Sequence, residues 1–161
     1  MKIYKLCKTK RTKGFMFLNK IVDPSMQHKS SLVDKFKTQN TSKAKMYRKI
    51  NPELSVHSAY TSKEYIDERE RLSFTRFRLS SHHLKIETGR WARINVENRL
   101  CDCGKGIQDE PHVLFHCGKT EGDRRIFGVD GEVTSDIGAL MCKMEVHKLV
   151  SFVHCCMKHF K

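Results

Sequence analysis

The chain has 161 residues, 39% hydrophobic and 30% charged, with seven cysteines and a net charge of +13. That length suits one domain with a tail, and the modest apolar share leaves part of the chain outside any core. No stretch reaches the ~18 apolar residues that a membrane span needs, so no membrane partner is expected and the chain reads as intracellular.

The charge is uneven. Residues 1–50 carry 14 Lys/Arg against Asp23 and Asp34, which is +12 of the +13. A basic arm on a near-neutral body suits a polyanion and predicts sequence-tolerant binding to DNA or RNA; the alternative is a solvated tail without a partner. Residues 1–42 read as this poorly ordered arm. Its run Lys8, Lys10, Arg11 and Lys13 resembles a nuclear-import cluster and supplies candidate phosphate contacts.

Residues 30–50 predict one or two short basic helices, ended by Asn51-Pro52. Thr61-Ser62-Lys63-Glu64 offers an N-cap, with Glu64 in the first turn, for a helix running to about Leu79. That helix bears Arg69, Arg71, Arg76 and Arg78, of which Arg69, Arg76 and Arg78 are candidate nucleic-acid contacts. Leu84 to Thr88 predicts a further helical turn with Gly89 as its left-handed C-cap. Trp91 is expected to be a core anchor beside the site described next, ahead of the alternative of a stacking platform for nucleic acid.

That site is the densest chemistry in the chain. Cys101, Cys103, His112, His116 and Cys117 fall within 17 positions as C-x-C, eight residues, H-x4-C. Clustered Cys and His without a spread-out cysteine framework point to metal, and zinc takes four such ligands in a tetrahedron. Gly104 and Gly106 would let the backbone reverse between the two pairs. Pro111 suits the first turn of a helix that presents the second pair. Cys101, Cys103, His112 and Cys117 are the first choice of ligands. The set with His116 in place of Cys117 is the second. A closed structural site is expected, since Glu110 is the only nearby base, and no catalytic residue is assigned.

Gly118, Gly122, Gly128 and Gly131 predict loops to about residue 133. Thr134-Ser135-Asp136 would then cap a helix over 135–160. Its apolar stripe of Val146, Leu149, Val150, Val153, Met157 and Phe160 is expected to face the core, with Leu149, Val153 and Met157 buried. A protein partner on that stripe is the rival. The fold class is therefore mainly α: a small irregular zinc-binding unit among helices, behind a disordered basic arm. The expected segments are 1–42, 43–130 (helical segment and zinc unit) and 131–161 (amphipathic helix).

Four further runs carry a resemblance. They are Arg76-Phe77-Arg78-Leu79-Ser80-Ser81-His82-His83-Leu84, Glu87-Thr88-Gly89-Arg90, Arg99-Leu100-Cys101-Asp102-Cys103 and Asp109-Glu110-Pro111-His112-Val113-Leu114-Phe115-His116-Cys117. Together they resemble the cysteine/histidine-rich C-terminal end of reverse transcriptases of non-LTR retrotransposons, and Met46-Tyr47-Arg48-Lys49-Ile50-Asn51 resembles the run that precedes it. The resemblance covers roughly residues 43–125. It implies the zinc-binding end of a mobile-element protein, which handles template nucleic acid, with Cys101, Cys103, His112 and Cys117 as ligands. The paired-aspartate motif of the polymerase is absent, and no Asp-Asp pair occurs in the sequence. A remnant module without polymerase activity is expected. The alternatives are a zinc-held structural or protein-interaction module and a mobile-element fragment without function.

Overall fold

A computed structural model describes residues 33–63, 65–129 and 135–160. The contacts Lys8, Lys10, Arg11 and Lys13, the rest of the arm before residue 33, and Glu64 lie outside the described residues. The chain divides into two units, Met1–Ala44 and Lys45–Lys161. In the first, residues 33–38 are helical (α1). Helix α2 spans Ser42–Ile50 and stops at Asn51-Pro52, as expected.

The second unit is mainly helical, with no strand among the described residues. Its helices are α3 (Glu68–Arg78), α4 (Lys85–Trp91), α5 (Glu121–Phe127), α6 (Ile137–Lys143) and α7 (Val146–Lys158). Helix α7 is the axis of the core. Leu149, Val150, Phe152, Val153 and Cys156 are fully buried and Met157 nearly so. They recur at steps of three and four, which puts them on one side of a helix. That side packs chiefly on α3, and also on α5 and on the turn at His112–His116. From α3 come Phe74 and Phe77, both fully buried. Phe127 of α5 meets Phe152 with ring centroids 5.6 Å apart. Each Phe or Leu side chain buried this way contributes about 1.5–3 kcal/mol. The stripe is thus covered within the chain, and Leu149, Val153 and Met157 are buried as expected.

Several expectations are corrected. The helix expected from Thr61–Glu64 begins at Glu68, capped by Asp67, whose carboxylate accepts from the N–H of Arg69 at 2.8 Å and of Glu70 at 3.3 Å. Upstream, Ser58–Tyr60 forms a 3-10 turn, and Ile66 is buried from non-helical chain. The single helix expected over 135–160 is two, with extended backbone at Met144 and Glu145. A helix advances 100° per residue, so in one continuous helix the buried faces of Ile137, Leu140 and Met141 and of Leu149 to Met157 would point about 150° apart. The break lets both face the core. Asp136 is the cap of α6, its side chain accepting from Gly138 N–H at 2.8 Å.

The loops expected from Gly118 onward include a 3-10 turn at Gly118–Thr120 and all of α5. Gly128, with φ +68°, ends α5 in the left-handed conformation. Gly89 is not a C-cap: it lies inside α4, where a Cβ would sit 2.8 Å from Cγ and Cδ of Arg99. Trp91 is no core anchor; it is 77% exposed. Leu84, Val113 and Leu114 fill the interior there.

Candidate metal centre

Between Cys101 and Gly106 the chain turns back on itself. The N–H of Gly104 donates to Cys101 O at 2.9 Å and that of Cys101 to Gly106 O at 2.8 Å. Leu100 and Ile107 close the turn as an antiparallel bridge. Gly104 at φ +76° and Gly106 at φ +147° adopt backbone that only glycine takes without strain. Both glycines therefore do what their spacing suggested.

The second ligand pair comes from a different device. Asp109 accepts from the His112 N–H at 2.9 Å and starts a helical turn at Glu110 and Pro111. The turn widens at once into π geometry over His112–His116, closed by the Cys117 N–H on His112 O at 2.8 Å. In an α-helix His112 and His116 would share a face. The five-residue closure instead brings Cys117 round to His112, and His116 is left exposed.

The result is a cluster of Cys101, Cys103, His112 and Cys117 whose ligand atoms all lie within 4.8 Å of one another, close enough to hold a metal ion. Cys101 Sγ is 3.7 Å from Cys117 Sγ, and Cys103 Sγ is 3.2 Å from His112 Nε2. The four ranked first in the sequence are brought together. His116 is not among them.

The electrostatics favour a cation. Burial raises the Cys103 thiol, but the N–H of Lys105, the Cys101 side chain, the N–H of Gly118 and His112 outweigh it and bring Cys103 down to about 6. Burial pushes Cys117 up to about 11, helped by Cys101 and Cys103 and opposed by the Lys119 N–H. One thiolate forms readily, and the next cannot ionise beside it without positive charge to offset the repulsion.

Residues that carried no signal of their own hold the cluster in place. Gln108 is buried; its Nε2 donates toward Cys101 Sγ at 3.7 Å and its Oε1 accepts from the Lys85 N–H at 2.9 Å. It thereby caps α4, whose own Leu84 has no side chain to do so. Thr120, fully buried, donates to Val113 O at 2.6 Å, and Arg124 donates to Cys117 O at 2.9 Å and Thr120 Oγ1 at 2.8 Å. These bonds satisfy carbonyls that the interrupted helix leaves open. Glu110, the one candidate base, is 2% exposed and is occupied: Ser80 Oγ donates to its Oε1 at 2.8 Å and His82 Nε2 lies 3.0 Å from it. Burial alone would raise its carboxyl, yet His82 and Ser80 hold it below the usual value. Above the cluster, exposed Asp102 is shared by Lys85 at 2.5 Å and Lys119 at 3.2 Å.

The candidate nucleic-acid contacts divide. Arg69 and Arg76 are exposed on α3. Arg78 is 4% exposed and corrects the expectation for it. Its guanidinium lies 5.8, 5.6 and 5.7 Å from the rings of Tyr47, Tyr60 and Phe74. It is a buried cation held by aromatic faces. Cys155 and Cys156 form no metal group among the described residues. No described helix is long and apolar enough to cross a membrane. Comparison of the chain with protein-family models, curated proteins and solved structures gives no match in any of the three.

Proposed function

We propose that this chain is a zinc-stabilised nucleic-acid-binding module, a remnant of a non-LTR retrotransposon reverse-transcriptase-like protein without polymerase activity. The observation that carries the metal part is the geometry of the four ligands. Zinc–sulfur bonds of ~2.3 Å and zinc–nitrogen bonds of ~2.0–2.1 Å give tetrahedral edges of about 3.8 Å between sulfurs and about 3.6 Å from sulfur to nitrogen. The sulfurs of Cys101 and Cys117 are 3.7 Å apart, Cys103 Sγ is 3.2 Å from His112 Nε2, and all four ligand atoms lie within 4.8 Å of one another. Three thiolates and one imidazole fill all four places, which suits a structural ion and leaves no place for a reacting water. Zinc would supply the positive charge that lets the thiols ionise together; the chain's own part is to hold the sulfurs, through Gln108, Lys105 and Lys119.

The nucleic-acid part is supported by the +13 net charge and the exposed Arg69, Arg71 and Arg76. The family assignment is supported by the motif runs over residues 43–125 alone.

Two measurements test this. Metal analysis should return one equivalent of zinc, lost in Cys101→Ser and His112→Ala and kept in His116→Ala. Zinc retained by Cys101→Ser would reject the ligand set. A labelled duplex titrated at several salt concentrations should show log affinity falling linearly with log salt, with a slope of about −5 if about six phosphates are neutralised. No binding at low salt would remove the nucleic-acid reading and leave a zinc-held structural module.

A further inference from the structure

Helix α4 ends in a way that its packing does not require. The Ile94 N–H donates to Gly89 O at 2.8 Å and the Arg93 N–H to Arg90 O at 3.2 Å. This bond pair closes a helix through one left-handed residue, a place where glycine is the usual occupant. Here the occupant is Arg93, at φ +55°. Its Cβ is strained there, its side chain is exposed, and that side chain makes no hydrogen bond or ion pair among the described residues.

The loop that follows is fixed from below. Buried Arg99 donates from Nε and Nη2 to Ile94 O at 3.0 and 2.6 Å, and from Nη1 to Ile86 O at 2.7 Å. Next in the chain come the Leu100–Ile107 bridge and Cys101. A segment so well anchored would ordinarily bury its large side chains. Instead every residue from 91 to 98 is exposed, including Trp91, Ile94 and Val96. The Arg90 guanidinium lies 5.3 Å from the Trp91 ring centroid while paired to Glu87 at 2.7 Å. Arg90 is thus matched by Glu87, and Arg93 is the cation of the loop itself, with Glu97 its one acid.

We propose that this loop is a stacking platform for single-stranded nucleic acid, with a base on the open face of Trp91 and the flanking phosphate on Arg93. This rests on the nucleic-acid reading above and specifies the strand form and the surface. A base can stack only on a ring that is open to solvent, and Trp91 is exposed, with Arg90 against its ring. A duplex keeps its base faces to itself, so it gains nothing from Trp91. The guanidinium of Arg93 explains an arginine where the backbone favours glycine: the side chain is kept for what it binds.

Trp91 is the only tryptophan, so its fluorescence reports on the platform directly. The full chain, loaded with zinc, is titrated at low salt with an oligothymidylate of about 12 nucleotides, within the usual reach of one such site, and with a duplex of equal length. The single strand should quench the fluorescence to saturation and the duplex should not. Trp91→Ala should weaken single-strand binding roughly tenfold, and Trp91→Phe should restore most of it. Arg93→Gly should leave the melting temperature unchanged or higher, because the backbone strain is relieved. Its salt slope should flatten by about 0.7, the share of one phosphate on a single strand. Salt-dependent binding without quenching, and equal in Trp91→Ala, would overturn the platform and leave the broader nucleic-acid reading standing. Absence of any binding at the lowest salt would remove both. A concentration-dependent oligomer that Trp91→Ala abolishes, with no quenching by the oligonucleotide, would overturn the platform in favour of a self-association face.

Discussion

Between α3 and α7 the contacts are those of an ordinary apolar core: Phe74, Phe77, Leu149, Phe152 and Val153 are fully buried, and Ser151 to Glu70, at 2.8 Å, is a polar link between the two helices. Around the Cys/His cluster the same core, continued by Leu84, Val113 and Leu114, takes in many polar groups. Arg99, Gln108, Glu110, His112, Thr120 and Arg124 are all buried there, among three thiols. The first region is held by area removed from water, which is non-directional and tolerant. The second is held by directed bonds, each of which costs free energy when a partner is lost. The same chain thus contains a part that should stand without metal and a part that should not.

With zinc in the cluster as proposed above, the sharpest way to break this contrast is to withdraw it. Structural zinc contributes ~10–16 kcal/mol of binding free energy to a small site, and that energy is folding free energy. Chelation, or Cys101→Ser, should therefore release the amide protection of residues 99–120 while α3 and α7 keep theirs. Hydrogen exchange followed by mass spectrometry reads both regions at once. Simultaneous loss of protection in α3 and α7 would show that the two parts form one cooperative unit.

The converse experiment removes apolar packing. Phe152→Ala leaves a cavity against Phe127 and the α3 face and should cost ~3–5 kcal/mol. Zinc stoichiometry should survive under conditions where the protein stays folded. Denaturant titration with a metal assay on the same samples checks this, and a variant that loses zinc before it unfolds would contradict it.

A finer probe is Gly89→Ala. Alanine favours a helix over glycine by about 1 kcal/mol, so helix propensity alone predicts stabilisation. The Cβ would instead lie 2.8 Å from the Arg99 stem, which three hydrogen bonds to Ile86 and Ile94 hold in place. Overpacking of this kind costs ~1–3 kcal/mol. The variant should melt lower, by an amount smaller than for Phe152→Ala. A higher melting temperature would show that Arg99 moves aside and is not the brace of the loop.

How legible each region was follows from the range of its interactions. The four residues of the cluster lie within 17 positions and their turn is built from local glycines, so the cluster was legible, and the preference for thiolate over imidazole ranked Cys117 above His116. The π closure that chose Cys117 over His116 was not visible in spacing, which permits both. The buried face of α7 could be read because its partners need only be apolar, whatever they are. The breaks at Met144 and Glu145 carry no Pro or Gly and were missed. They exist because two apolar faces must meet one core.

Residue chemistry and periodicity by themselves determined that the chain is mainly helical, which residues make up its Cys/His cluster, and which stripe of the last helix is buried. Tertiary structure alone decided the fates of three conspicuous residues. Arg78 looks like a surface cation and is enclosed by Tyr47, Tyr60 and Phe74. Trp91 looks like a core anchor and faces solvent. Gly89 looks like a helix end and is the gap through which Arg99 passes. For Arg78 the two tyrosines come from elements earlier in the chain, and for Gly89 the arginine lies beyond the end of its helix. A single side chain's preference for water or interior is worth a few kcal/mol, and the geometry of distant partners readily outweighs it.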